Sequence, residues 1–164
     1  MRKFDHEGLI IANFQAKLFE ESVKKKKYSS AMFLECFKNS TCAKKLDNKN
    51  SAFIDLNRGF FFEEMEEEYG QLKHDECFDS KAMFWLGYIT RYICYTRNLS
   101  TQFLFEIINP LELLKHYNVY HTQSEEWVIN RILDTKGLSE SIFNKNQRIK
   151  NKLKKIVNNE LLNI

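Results

Sequence analysis

The sequence contains a single proline and only five glycines among 164 residues. Because tight β-turns draw heavily on these two residue types, their scarcity argues against an all-β protein and favours helices joined by short polar loops. No stretch approaches the roughly 20 apolar residues of a membrane-spanning helix, and the residues after Met1 do not resemble a secretory signal. The sequence therefore predicts a cytoplasmic protein that does not enter a membrane.

Cysteine patterns of known chemistry are missing as well. The four cysteines, Cys36, Cys42, Cys77 and Cys94, form no C-x-x-C pair and match no zinc spacing. In a cytoplasmic protein we expect reduced thiols, with Cys94 as a small core residue. Nucleotide-binding, calcium-binding, zinc-protease and nucleophile-elbow motifs are also absent. The sequence thus predicts no cofactor and identifies no catalytic residue.

The apolar residues that are present recur at helical spacing, and 14 phenylalanines predict an aromatic-rich core. We expect an all-α protein, a compact bundle of about seven or eight helices with at most one vestigial strand, for which residues 52–56 are the candidate. Capping residues such as Ser40, Ser100 and Asn109 mark helix starts. The predicted helices cover residues 7–27, 81–97, 101–108, 110–118, 125–134 and 139–161. Shorter helical segments follow Ser29 or Ser30 and Ser40, and the apolar residues from Phe61 to Leu72 also have helical spacing.

Charge is unevenly distributed although the net charge is only +3. Residues 62–79 hold eight acids and one lysine, a local charge of −7, and residues 143–164 hold six bases and one acid, a local charge of +5. We predict a helical core domain over 1–138 and a basic C-terminal helix over 139–164 that packs on the same domain. Either charged segment is a solvated face or a contact for a partner, and the tail could meet nucleic acid. Its basic residues are Arg148, Lys150, Lys152, Lys154 and Lys155.

The stretch FWLGYITRYICYTRN, residues 84–98, is apolar or aromatic on nearly every side of a helix, which is typical of a central buried helix. It nevertheless contains Arg91 among Tyr88, Tyr92 and Tyr95. A buried guanidinium costs several kcal/mol unless its donors are satisfied. Tyrosine hydroxyls, main-chain carbonyls or an acid from the region after residue 100, such as Glu106 or Glu112, are candidates for that role.

Two interpretations of this stretch stay open. In the first, Arg91, the tyrosines and an acid form a structural network that holds helices together. In the second, Arg91, Tyr88 and Tyr95 converge with His121 in a cleft that binds a phosphate, a carboxylate or a peptide. His116 lies five residues before His121, whereas metal-binding pairs on a helix prefer three or four, so we predict no metal site. The segment YHTQS around His121 is expected to form a hydrogen-bonded turn.

The segments WLGYITRYICYTRNLS and INPLELLKHYNVYHTQSEEWVINRIL resemble a group of short uncharacterised bacterial proteins that carry a G-Y-x-x-R-Y run and a later Y-H-T turn. The resemblance covers residues 30–133, and some of these proteins are similar to genes near toxin–antitoxin-type modules. It implies a biological context and assigns no chemistry. The matching positions are Gly87, Tyr88, Arg91, Tyr92, Tyr120, His121 and Thr122.

These observations predict a non-enzymatic binding protein, an antitoxin-like or accessory factor that docks a partner protein. The expected contact is the acidic face or the cluster of Tyr88, Arg91, Tyr92, Tyr95, Tyr120, His121 and Thr122. One alternative is a nucleic-acid-binding regulator that uses the basic C-terminal helix. The other is a small enzyme with an anion-binding pocket at Arg91 and His121. A homodimer is compatible with each of the three.

Overall fold

The structure is a computed structural model that describes residues 2–25, 29–48, 58–70 and 77–137. Within these ranges every regular element is an α-helix, so the predicted all-α fold is confirmed. The described residues form nine helices: α1 (His6–Lys24), α2 (Ser30–Asn39), α3 (Thr41–Asp47), α4 (Arg58–Tyr69), α5 (Ser80–Arg97), α6 (Thr101–Ile107), α7 (Pro110–Lys115), α8 (Tyr117–Tyr120) and α9 (Glu125–Thr135).

Two of the predictions fall outside the described residues. The candidate strand at 52–56 lies there, and so do the basic tail and the predicted domain boundary at 138, which therefore stay predictions. The chain divides into two units, Met1–Glu125 and Glu126–Ile164. Helix α9 belongs almost wholly to the second unit, where it buries Val128, Ile129, Ile132 and Leu133.

Helix starts follow the capping residues closely. The side chains of Ser40 and Ser100 each accept a hydrogen bond from the main-chain N–H three residues later, at 3.1 and 3.3 Å. Asn109 caps α7 by accepting a hydrogen bond from the Leu111 N–H, two residues later, at 2.9 Å, and Pro110 occupies the first helical position. These caps satisfy N–H groups that have no partner within the helix, which is why short polar residues predict helix starts well.

One predicted helix is divided in the structure. Residues 110–118 were expected to form a continuous helix, but α7 ends at Lys115 and α8 begins at Tyr117. His116 between them has φ −96° and ψ 5°, outside the α-helical region. The break turns α8 into a separate single-turn helix, and it gives the following residues a new direction.

The centre of the first unit is the pair α1 and α5. Gly8 of α1 lies against Tyr95, and Ala16 lies against Gly87, so the two helices run antiparallel. At Gly87 the main chains are so close that an added Cβ would stand 2.8 Å from the Ala16 Cα and 2.8 Å from the Gln15 carbonyl oxygen. Only glycine permits this approach, which is the packing role of an otherwise unfavourable residue in a helix interior.

Phenylalanine side chains fill the core beside this pair. Phe19 of α1 contacts Phe33 and Phe37 of α2 edge to face, with ring centroids 5.1 and 4.8 Å apart. Phe14 meets Phe61 of α4 in the same geometry at 5.1 Å. All five rings are buried. Edge-to-face pairs add to the burial of apolar area, so this aromatic cluster holds α2 and α4 on α1.

The close approach at Gly87 yields a stability prediction. Gly87→Ala should lower the free energy of unfolding by about 2 kcal/mol, because the new methyl group meets main-chain atoms that cannot move independently of α1. Urea denaturation followed by circular dichroism measures the change. The control is Lys81→Ala, since Lys81 is exposed on the same helix and its substitution should alter stability by less than about 0.5 kcal/mol. Equal stability of the two variants would contradict this account of the helix contact.

Candidate functional site

The predicted site residues do not form one cluster in the structure. Helix α5 projects Arg91 to one side, towards α1, α3 and α6, whereas Tyr88, Tyr92 and Tyr95 surround Phe4 of the N-terminal segment. Tyr120, His121 and Thr122 lie at the end of α8. Three separate groups of side chains therefore replace the expected cluster, and each has its own environment.

Arg91 is enclosed by its own chain, with 2% of its surface exposed. Its Nε donates to the Gln15 Oε1 at 2.7 Å, one terminal nitrogen donates to the Asp47 Oδ1 at 2.7 Å, and the other donates to the Thr101 Oγ1 at 2.7 Å. All three nitrogens are thus bonded to protein oxygens. An incoming anion would have to displace Asp47, so this guanidinium is not available as an anion anchor.

Asp47 is the acid of this network, and it comes from α3. Besides the ion pair with Arg91, its carboxylate accepts bonds from the main-chain N–H of Thr101 at 2.9 Å and from the Thr101 hydroxyl at 2.8 Å. One side chain therefore satisfies both a buried arginine and the first turn of α6. The expected network contained tyrosines and Glu106 or Glu112; the structure shows an arginine–carboxylate network without a tyrosine, because the guanidinium points away from the tyrosine side of α5.

Gln15 connects the same network to α1. Its side-chain nitrogen donates to the Gly87 carbonyl and to the Thr90 Oγ1, both at 3.0 Å, while its oxygen accepts from Arg91. The residue is fully buried. A glutamine within the apolar stripe that Ile11 and Leu18 define was the sequence signal for a buried polar contact. No comparable signal marked Asp47, since a carboxylate at the end of a helix is usually solvated.

The tyrosine side of α5 is covered by the residues that precede α1. Phe4 lies 4.5, 5.9 and 6.3 Å from the rings of Tyr92, Tyr95 and Tyr88. The Arg2 main-chain N–H donates to the Thr96 carbonyl at 2.8 Å. The N-terminal segment is therefore fixed along α5, and its aromatic side chain fills the space between three tyrosines.

Tyr95, at the edge of this aromatic group, contacts three charged side chains. Its hydroxyl donates to the Asp5 carboxylate at 2.6 Å and to that of Glu7 at 3.2 Å, and the Arg2 guanidinium lies over its ring at 4.1 Å. Burial, with the bond to Asp5, raises the pKa of the Tyr95 phenol above its ordinary value. The same bond, with one from the Gly8 N–H, lowers the pKa of the Asp5 carboxyl. The neutral phenol and the charged carboxylate stabilise each other.

Helix α8 and the turn after it carry two ordered aromatic stacks. Tyr117 stacks on His121 with ring centroids 4.5 Å apart, and His116 stacks on Tyr120 at 5.2 Å. Trp85 of α5 meets the edge of Tyr117 at 5.7 Å. Each histidine thus lies on a different tyrosine, which is the arrangement of a packed surface and not of a shared metal site.

Hydrogen bonds fix the turn that follows. The His121 Nδ1 lies 2.7 Å from the Tyr117 carbonyl oxygen, and the Thr122 hydroxyl donates to the Val119 carbonyl at 3.0 Å. His121 and Thr122 are exposed, and Val119 is 58% exposed, the most accessible large apolar side chain among the described residues. We use the name α8 face for His116, Tyr117, Val119, His121 and Thr122. It is an ordered surface that combines aromatic, apolar and polar groups.

The acidic row on α4 is partly engaged within the protein. Glu64 pairs with Lys45, and Glu68 accepts a bond from the Thr41 hydroxyl, so these two carboxylates connect α4 with α3. Glu63 and Glu67 are exposed. Solvent-facing carboxylates one turn apart repel each other weakly, and the row holds no feature beyond that repulsion that would mark a ligand site.

Features of a metal enzyme or membrane protein are not seen in the part of the chain that the structure describes. It contains no group of three or more histidine, cysteine or acidic residues that could hold a metal ion. The four cysteines, which all lie within the described ranges, form no disulfide, and burial raises the pKa of the Cys42 thiol well above its usual value. No helix within those ranges is long and apolar enough to cross a membrane.

Comparisons with protein-family models, curated proteins and solved structures gave no match.

The enclosed arginine leads to a prediction about stability. Arg91→Met leaves the Asp47 carboxylate, which is only 16% exposed, without its counter-ion, and this should lower the free energy of unfolding by about 3 kcal/mol. Lys17→Met, on the exposed side of α1, serves as the control. The double variant Arg91→Met/Asp47→Leu should recover part of the loss, since no charge is then left unpaired. A single variant as stable as the control in urea would show that the network does not hold these helices.

Tyr95 supports a prediction about pH. A phenol whose pKa is raised on folding contributes stability that is present below the unfolded value of about 10 and is lost as pH rises through the folded value. The wild-type protein should therefore lose stability above about pH 10 more steeply than Tyr95→Phe. Near neutral pH the variant should be about 1 kcal/mol less stable, because it lacks the bonds to Asp5 and Glu7. Urea midpoints at several pH values test both; parallel pH profiles would contradict the prediction.

Proposed function

We propose that this protein is a non-enzymatic binding protein that docks a partner protein through the α8 face. The proposal includes a cytoplasmic, antitoxin-like or accessory role in bacteria, which is the context that the sequence resemblance implies. The homodimer stays a separate prediction.

The enclosure of Arg91 is the observation that carries the proposal. An enzyme of the kind considered would need Arg91 and His121 to face one substrate. Arg91 is instead bonded through every nitrogen to Gln15, Asp47 and Thr101, while His121 lies on the protein surface against Tyr117. The side chains best suited to catalysis, Arg91 and His121, thus have structural contacts and do not face one another. This favours a binding function over a catalytic one.

The α8 face has the properties of a protein-binding surface. Tyrosine, tryptophan and other aromatic residues are enriched where binding energy concentrates in interfaces. Here the rings of Tyr117 and His121 are already stacked, and the turn is hydrogen-bonded, so little side-chain entropy would be lost on association. Val119, on the same single-turn helix, has more than half of its surface exposed. A partner would gain apolar burial there without reorganising the helix.

The charges near the α8 face indicate that a partner would bind there by packing and not by electrostatic attraction. The nearest charged residues on the preceding helix, Glu112 and Lys115, have opposite signs. A balanced surface predicts an affinity that changes little with salt, in contrast to nucleic-acid binding, whose affinity falls steeply as salt rises. The nucleic-acid alternative depends on Arg148, Lys150, Lys152, Lys154 and Lys155, which lie outside the described residues, and the strong local positive charge of the sequence still favours it as second candidate.

Site-specific crosslinking tests the docking proposal. A photoreactive phenylalanine analogue placed at Val119 in the native host should give one discrete light-dependent adduct with a second polypeptide. The same analogue at Gln102, exposed on α6, is the matched control and should not give that adduct. Native mass spectrometry at low salt then reports whether the retained partner is protein or nucleic acid.

A binding measurement with that purified partner completes the test. Val119→Glu places a charge where apolar burial is expected and should weaken binding by about tenfold or more, whereas Gln102→Glu should change it by less than about twofold. Both variants should unfold at nearly the wild-type urea concentration, since both side chains are exposed. The same adduct from both positions, or equal affinities of the two variants, would refute docking through the α8 face.

A further inference from the structure

Helix α5 exposes only aromatic side chains over most of its length. From Ala82 to Arg97 every residue is buried except four, each of which keeps part of its surface exposed: Phe84, Trp85, Tyr88 and Tyr92. We call these four residues the α5 aromatic band. The water-facing side of a helix normally carries polar or charged groups, and contiguous apolar surface on a folded protein marks a contact for another molecule. The band therefore indicates an interaction surface.

The rings of the band are supported by neighbours from other parts of the chain. Trp85 meets the edge of the Tyr117 ring, with the centroids 5.7 Å apart. The ring of Phe4 lies 6.3 Å from that of Tyr88 and 4.5 Å from that of Tyr92. Rings that are held in this way lose little side-chain entropy when a ligand packs on them. The band is thus prepared for binding in the unbound protein.

The band carries no charge of its own, which restricts the class of ligand. Arg91 is the one charged residue of α5 between Lys81 and Arg97, and its guanidinium is enclosed away from the band. Burial, together with the charge of Glu125 and a hydrogen bond to that residue, raises the pKa of the Tyr88 phenol, so the phenol is neutral near pH 7. Single-stranded nucleic acid stacks on aromatic rings but also needs a cationic groove for its backbone. An uncharged ligand suits the band better.

The tyrosine side of α5 already holds one extended piece of chain. Residues 2–5 lie along it, where the Arg2 main-chain N–H donates to the Thr96 carbonyl at 2.8 Å and Phe4 packs on the tyrosines. Asp5, with φ −108° and ψ −173°, is extended as well. The side of a helix offers no row of main-chain donors and acceptors with which a β-strand could pair. An extended ligand at this surface must therefore keep its conformation without such pairing.

Polyproline II is an extended conformation that meets this requirement. It has no internal hydrogen bonds, it is preformed in proline-rich chains, and it docks on aromatic surfaces. Its side chains return to the same side every three residues, about 9.3 Å along the axis. Trp85 and Tyr92 lie about 10.5 Å apart along α5 at the usual helical rise, with Tyr88 between them. The two repeats therefore match closely.

We propose that the α5 aromatic band binds an uncharged, proline-rich segment of a partner protein in the polyproline II conformation. One turn of the segment packs on Trp85 and the next packs on Tyr92, beside the chain's own residues 2–5. The band shares no residue with the α8 face. A peptide titration needs no native partner, so its result is independent of docking through the α8 face, and the two proposals can fail separately.

Titration of the full-length, ¹⁵N-labelled protein with blocked octaproline, followed by NMR, tests the site. The indole N–H signal of Trp85 and the amide signals of Tyr88 and Tyr92 should shift together, with a dissociation constant of about 1 mM or below. The indole signal of Trp127, which lies outside the band, should stay in place. A blocked octamer of alternating alanine and serine should bind at least about fivefold more weakly, because it loses more chain entropy on becoming extended.

Two tyrosine variants test whether the contact is local. Tyr92→Ala removes one ring of the band and should weaken octaproline binding by about fivefold or more. Tyr69→Ala removes a partly exposed ring of α4 and should change the affinity by less than about twofold. Urea midpoints report whether each variant is folded, and the signals of the wild-type protein locate the peptide even if Tyr92→Ala is not.

Four results would overturn the proposal. They are the absence of shifts at several times the expected dissociation constant, shifts that lie away from the band, equal binding of the alanine–serine octamer, and equal loss of affinity in the two folded variants. Oligothymidylate is titrated in parallel. Tighter binding of oligothymidylate than of octaproline would also overturn the proposal, since it would identify the band as a stacking surface for single-stranded nucleic acid.

Discussion

The need to satisfy one buried guanidinium organises the first unit of this protein. Arg91 lies in the buried interior of α5, where an unpaired charge would cost several kcal/mol. Gln15, Asp47 and Thr101 supply its acceptors, and they come from α1, α3 and α6. The four helices are therefore held in one arrangement by a single set of hydrogen bonds. The close contact at Gly87 brings Gln15 within reach, so apolar packing and polar satisfaction depend on each other.

The two sides of α5 have different consequences for function. On the Arg91 side, polar groups are saturated by the protein and cannot meet a ligand. On the other side, Phe4 and the N-terminal segment cover Tyr88, Tyr92 and Tyr95, and Tyr95 is further bonded to Asp5. Tyr95 is buried there, whereas Tyr88 and Tyr92 keep part of their surface exposed beside Phe4. We propose recognition at the periphery, where α8 presents ordered aromatic rings.

The ordering of the α8 face has a local cause. The non-helical conformation of His116 separates α8 from α7, and it places Tyr117 where Trp85 can support its ring. The i,i+4 spacing within Tyr117–His121 and His116–Tyr120 then produces both stacks. These two stacks and the Trp85 contact together order the surface that we propose for docking.

The sequence by itself determined the fold class, the phenylalanine-rich core and most helix starts of the described residues. Caps such as Ser40, Ser100 and Asn109 accept from N–H groups within three residues, so the local sequence alone predicts their effect. The buried setting of Arg91 was also predictable, because its helix is apolar on nearly every side. What these patterns could not determine was the partner of each polar side chain.

Only the tertiary structure decided that Asp47 pairs with Arg91, that Phe4 covers the tyrosines and that His121 lies apart from both. Asp47 and Arg91 are 44 positions apart, and Tyr95 and Asp5 are 90 apart. Contacts between residues so far apart in sequence depend on how the helices cross and on the side of α5 from which each side chain projects. Helical periodicity specifies that a residue is buried, but the approach of a second helix specifies what it meets, and that approach follows from the packing of all the helices together.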